Sequence, residues 1–152
     1  MDGKIVFRCD GVPQTKGSAK AFMRRGARYP TVTNDNAKCK PWQAALTLAA
    51  AQAMSRAARI EPTRGPVALT LKFCVPRPGG HYGSGKNAEK LRPSAPQYPT
   101  VKPDLDKLVR AVKDGLTGVV YGDDSQVIKI DAVKLYATHI HPCGVVVQVD
   151  SM

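Results

Sequence analysis

The chain has 152 residues, 43% of them apolar, and a formal net charge of +11 at pH 7. That size supports one domain with its own core and needs no disulfide or metal staple. It contains no apolar run of about 18 residues and no polybasic block, so a membrane partner is disfavoured and an acidic partner, nucleic acid first, is expected.

In chain order, KIVFRC (Lys4 to Cys9) predicts a first strand. It precedes GVPQTKGSAKAFMRRGARYP, a turn-rich stretch in which Lys16, Lys20, Arg24, Arg25 and Arg28 alternate with Phe22 and Tyr29. Cations interleaved with aromatics suit phosphate contact and base stacking, although a solvated connection has the same composition. Asp35 or Asn36 is placed to cap the helix that follows, with Pro41 near its first turn. Trp42, Leu46, Ala49, Ala53 and Ile60 recur at helical spacing, which makes Trp42 a core anchor. VALTLKFCV (67–75) alternates as a half-buried strand. Six prolines and four glycines from Pro76 to Pro103 predict a long mobile loop. It carries Arg77, Lys86, Lys90, Arg92 and Lys102 towards the next segment. A second helix is expected from about Asp106 to Leu116, with Gly118 as its stop, followed by strands from Gln126 to Tyr136 and Gly144 to Val149. This order gives a single-domain α+β fold, a mixed sheet with helices packed on one face. The cysteines (Cys9, Cys39, Cys74 and Cys143) are scattered, and MDGKIVFRCD lacks the apolar core of an export signal. Both features suggest reduced thiols and a cytoplasmic location.

Charge is unevenly distributed. Residues 1–103 carry 18 Lys/Arg against 5 Asp/Glu, whereas 104–131 carry 4 against 6. In KPDLDKLVRAVKDGLTGVVYGDDSQV, Pro103 disfavours helix at Lys102, so the chain enters extended and sets Asp104 and Asp106 on one face. Arg110 and Asp114 follow Asp106 by four and eight residues on the same side of the helix. Gly122-Asp123-Asp124 forms a turn that can return a third carboxylate. Carboxylates that converge repel one another unless a cation lies between them, and a hard divalent ion bound by oxygen ligands resolves the conflict. Each piece also has a plain structural role: Asp104 or Asp106 as a helix cap, and Asp123-Asp124 as an ordinary turn.

This run resembles the signature of RusA-like Holliday junction resolvases, a Pro-Asp-x-Asp-Asn start, a short helix with Lys and Asp, and a later Asp-Asp-x-Gln. Pro13, Lys16 and Gly17, the Trp-led helix and the strand before the long loop extend the likeness more loosely. The resemblance implies a metal-dependent endonuclease that acts as a homodimer on four-way DNA junctions, using Mg²⁺ or Mn²⁺ in its place. It implies no nucleotide cofactor and no membrane. It puts the three catalytic and metal-binding carboxylates on Asp104, Asp106 and Asp124, with Asp123 as a further metal ligand and Asp114 at another acidic position. Lys107 stands where the family has Asn, and Arg110 stands where a catalytic Lys is usual, which leaves Arg110, Lys107 and Lys113 as candidates for the essential cation. Lys16, Lys20, Arg24, Arg25, Lys102 and Lys107 are the expected DNA contacts. A non-catalytic basic DNA- or RNA-binding domain is the competing reading. Gly80 to Asn87 approaches a P-loop but lacks the Ser/Thr after Lys86. His139, His141 and Cys143 form an incidental turn in preference to a metal site.

Overall fold

The computed structural model describes residues 3–17, 19–34 and 36–152, with backbone alone for 19, 20 and 32–34. Asp35, one of the two expected helix caps, lies outside the described residues. Strands β1 (Lys4–Asp10), β4 (Val67–Val75), β5 (Val127–Tyr136) and β6 (Gly144–Ser151) form a sheet in the order β1-β6-β4-β5. The pairs β1–β6 and β6–β4 are antiparallel, and β4–β5 is parallel. A short separate hairpin joins β2 (Ala19–Phe22) to β3 (Thr31–Asn34). The expected α+β architecture with a mixed sheet is therefore present. No helix among the described residues is long and apolar enough to cross a membrane.

Alternation sorts the sheet into two faces. Ile5, Phe7, Leu69, Leu71, Phe73, Val145, Val147 and Val149 are buried in one core with residues of the two helices, α1 (Cys39–Arg56) and α2 (Leu105–Leu116). Trp42, Leu46, Ala50, Ala53 and Met54 line the buried stripe of α1. Ile60 does not join them. The chain leaves the helix after Arg56, and Ala58 adopts a positive φ of 54°, so Ile60 falls beyond the stripe and is 97% exposed. The hairpin was not anticipated, because two four-residue strands separated by a Gly- and Pro-containing loop lack the length that makes alternation visible.

The segment 76–103, expected as a mobile loop, has internal structure. It contains 3₁₀ turns at Gly79–His81 and Gly85–Asn87 and a bridge between Tyr82 and Leu91. Arg77 lies over the Tyr136 ring at 4.1 Å and donates to the Pro96 carbonyl at 2.7 Å, tying the segment to the end of β5. Gly85–Asn87 leads into no helix, the element a P-loop needs to present its amides to phosphate.

The two helices are docked closely. The Gln43 Nε2 donates to Ala111 O at 3.0 Å, and the Thr47 hydroxyl donates to Gly115 O at 2.8 Å. A Cβ at Gly115 would come within 3.0 Å of Leu46 Cδ2. Gly115→Val is therefore expected to cost about 1–3 kcal/mol by overpacking. The measurement is the urea midpoint, which should fall at unchanged slope.

Candidate nucleic-acid cleavage site

The first two carboxylates are set by the start of α2. Asp104 is its N-cap, with extended backbone (φ −72°, ψ 137°), but its side chain makes no capping hydrogen bond. It is 49% exposed and faces Lys107 Nζ at 3.7 Å. Asp106 lies in the first turn, exposed, and makes no ion pair or hydrogen bond with any described residue. The plain reading of these residues as helix caps therefore fails at the side-chain level.

The buried stripe of α2 (Leu108, Ala111, Val112, Gly115 and Leu116) leaves Asp106 and Arg110 exposed on the opposite side, with Lys113 seven residues after Asp106. Asp114 departs from the expected side. It turns towards the chain after β1, where its Oδ2 meets Lys16 Nζ at 2.6 Å. An eight-residue step overshoots two turns by enough to put it on the shoulder of the helix. Lys16, expected at phosphate, is thus engaged with α2.

Beyond α2, Gly118 takes a φ of +84°, which favours glycine, and its N–H donates to Tyr121 O at 2.7 Å. Tyr121 is fully buried, and its hydroxyl donates to Lys113 O at 3.1 Å. Burial, chiefly, pushes that hydroxyl far above its ordinary pKa, so it remains a donor. The chain then turns through Gly122, Asp123 and Asp124 into the 3₁₀ turn Asp124–Gln126.

Gln126 fixes this turn. Its Oε1 accepts from the N–H groups of Gly122 (2.8 Å) and Asp123 (2.9 Å), and its Nε2 donates to Thr63 O (3.0 Å) and Gly65 O (2.8 Å). Asp123 completes a capping box by accepting from Ser125 N at 2.8 Å. Hydrogen bonds from Ser125 hold its carboxyl below the usual range. The fold therefore uses Asp123, grouped by sequence with the metal ligands, as a cap. Asp124 is 52% exposed and holds a long ion pair, 4.0 Å, with Lys113 Nζ.

The Asp123–Gln126 spacing is a capping-box signal that sequence reasoning passed over. A second missed residue is Lys134, whose Nζ donates to Val101 O and Pro103 O at 2.7 Å each. It fastens the chain immediately before Asp104. A lysine in the alternation of β5 that includes Ala132 and buried Tyr136 was the available clue.

All the free carboxylates are hard oxygen donors, the chemistry that suits Mg²⁺ or Mn²⁺. Among the described residues, however, no three His, Cys, Asp or Glu side chains gather into a group able to hold an ion. Asp104 and Asp124 are instead balanced separately by Lys107 and Lys113. Of the expected DNA contacts, Arg24 and Arg25 occupy the exposed loop of the β2–β3 hairpin, and Lys102 is exposed just before Asp104. Lys20 lies in β2, its side chain outside the described set.

Comparison with known proteins bears on this arrangement. The family model described as "Endodeoxyribonuclease RusA" matches residues 10–150. The chain belongs to the RusA endodeoxyribonuclease family. The match covers both helices, β2 to β5 and all but the last residue of β6, and begins at the last residue of β1. The chain is also 34% identical over 133 residues to the uncharacterized protein YqaN of Bacillus subtilis (strain 168), covering 88% of each protein. The Asp-Asp-x-Gln element gains a structural meaning. Its first Asp and its Gln build the turn, and its second Asp is presented.

Proposed function

We propose that this RusA-family chain is a metal-dependent endodeoxyribonuclease that cuts four-way DNA junctions in paired, symmetric fashion as a homodimer. One observation carries the reading: Asp104 and Asp124 make no capping hydrogen bond and hold long ion pairs of 3.7 and 4.0 Å, and Asp106 makes none with any described residue, whereas Asp123 caps its turn and Asp114 is held by Lys16 at 2.6 Å. These three, which the structure does not gather into one group, are the residues that would hold Mg²⁺, with Mn²⁺ as a substitute, once drawn together on DNA. The ion, when bound, lowers the pKa of a water and offsets charge developing on the phosphate. Lys107 and Lys113 hold the carboxylates in the meantime and exchange to phosphate when DNA arrives. Arg110, exposed beside Asp106, grips a phosphate through two parallel hydrogen bonds.

A strand-cutting assay on a four-way junction, with and without Mg²⁺, tests this reading. Cutting at two opposed strands only with the ion is expected. Metal-independent binding with no cutting would leave a non-catalytic basic DNA- or RNA-binding domain.

The β2–β3 hairpin supports the DNA partner. Arg24 and Arg25 stand in its loop near exposed Met23 and Tyr29, and Arg24 stacks over Phe22 at 5.9 Å. Such a tip suits backbone contact combined with stacking. Replacing Arg24 and Arg25 together by Ala should weaken binding to all junction sequences alike. The slope of log affinity against log salt should drop by roughly 1.8, about 0.9 per lost phosphate contact. A change confined to sequence preference would mean that these arginines read bases.

A junction's two-fold symmetry is matched by a C2 dimer with one site per subunit. Two apolar elements could serve at the interface, β5 and α1, but the Trp42 face of α1 is spent on the core. Strand β5 is the better candidate, since it is an edge of the sheet and exposes Ile128, Ile130 and Val133. Ile128→Lys with Val133→Lys should give a monomer by sedimentation that nicks without paired cuts. A wild-type chain that is monomeric on and off DNA, yet still cuts in pairs, would refute the dimer.

A further inference from the structure

A cleft of about 490 Å³ opens beside Asp104 and Lys107, between the chain that follows β1 and the two ends of the long connection. Val12 and Pro13 contribute one side, and Pro76, Pro99 and Val101 the other. Buried Val75 and Tyr136 lie at its inner end. The volume is that of a small-ligand site, and apolar walls with a few placed polar groups are the usual composition of one.

The polar group within it is directional. Gln14 lines the cleft, and its Oε1 accepts from Asn36 Nδ2 at 2.9 Å. The same Asn36 nitrogen is held by Thr15 O at 2.8 Å, which fixes the pair. Both hydrogens of Gln14 Nε2 remain as donors that no described residue accepts. At the rim, Lys102 and Lys107 add positive charge next to the Asp104 carboxylate.

We propose that this cleft seats one unstacked nucleobase of the strand being cut, with Gln14 as its specificity-determining residue. The inference rests on the nuclease reading above. A base flat between apolar walls, its edge on an amide donor and its phosphate on Lys102 and Lys107, matches the walls, the Gln14 amide and the rim cations. A base within a duplex offers only its edge, so the occupant must leave the stack, at a cost that is least where pairing or stacking is already interrupted. The crossover of a junction is such a place. Seating one base would set the position of the cut relative to Asp104 and confer a preference for bases with an acceptor at the edge facing Gln14.

The test crosses protein variants with junctions that carry an abasic site at each position beside the cut. Val101→Trp fills the cleft from an exposed position, and Val12→Trp fills it from the other side should the first fail to fold by circular dichroism. In the wild-type chain, one abasic position should slow cutting about tenfold, the scale of losing one stacked base. In the filled variant the same lesion should have no further effect, the non-additivity that marks a shared contact. Gln14→Ala should flatten the preference among the four bases at that position. Equal slowing of wild-type and filled chains at every position, or no slowing anywhere while the wild type cuts normally, would overturn the base seat and leave the nuclease reading standing. A wild type that cuts no junction at all would overturn both.

Discussion

Asp106→Asn is expected to reduce junction cleavage by roughly 10²–10³-fold, the scale for losing one charge-stabilising group at a reacting phosphate. Binding should persist or tighten. Asp106 has no structural partner to lose, so folding should be unaffected, and removing its charge lessens repulsion of DNA. The check is single-turnover cutting in Mg²⁺ beside a gel-shift titration at fixed salt. Normal cleavage by the variant would remove Asp106 from the catalytic set. The parallel change Asp123→Asn serves as a control, because its role is to cap the turn from Asp124 to Gln126. It should cost far less activity, since an amide oxygen still accepts from Ser125 N.

Gln126→Leu should have the second largest effect, and of a different kind. It removes four hydrogen bonds that join the Gly122–Asp124 turn to the backbone at Thr63 and Gly65. At the usual net value per bond, the loss is about 2–4 kcal/mol for this partly exposed group. Cleavage should fall because Asp124 is no longer held, while DNA affinity, which we assign to the hairpin arginines, should change little. That split, together with an unchanged circular dichroism spectrum, separates positioning from global unfolding. If Gln126→Leu cuts at the wild-type rate, Asp124 needs no such support.

Sequence conveyed much of this organisation where periodicity was long. The α2 stripe and the β4 and β6 alternation are strong signals because each buries one continuous face. Ile60 was misplaced because a periodic pattern continues on paper past the point where Ala58 ends the helix. The carboxylates were recognisable as a group, but not which of them are free. That depends on partners distant in the chain, such as Lys16 for Asp114, and on local capping, such as Ser125 for Asp123. Lys134 was invisible for the same reason, since its acceptors lie over thirty residues away and are backbone atoms.

The parallel pairing of β4 with β5 has a consequence for how the site opens. Val67 pairs with Val127 and Val75 with Tyr136, so Asp104, Asp106 and Asp124 all lie within the stretch of chain that this strand pairing closes. That loop spans about sixty residues, and its closure entropy is repaid only when β5 docks. β5 is an edge strand, and Lys134 and the turn before Val127 are covalently part of it or adjacent to it. Sub-global opening of this edge would separate Asp124 from Asp104 and Asp106, which α2 keeps docked on α1, while the β1-β6-β4 ladder stays intact. Amide hydrogen exchange should then show 122–136 exchanging as one unit, earlier than β6, so that the lifetime of the cutting site is set by the fraying of one strand.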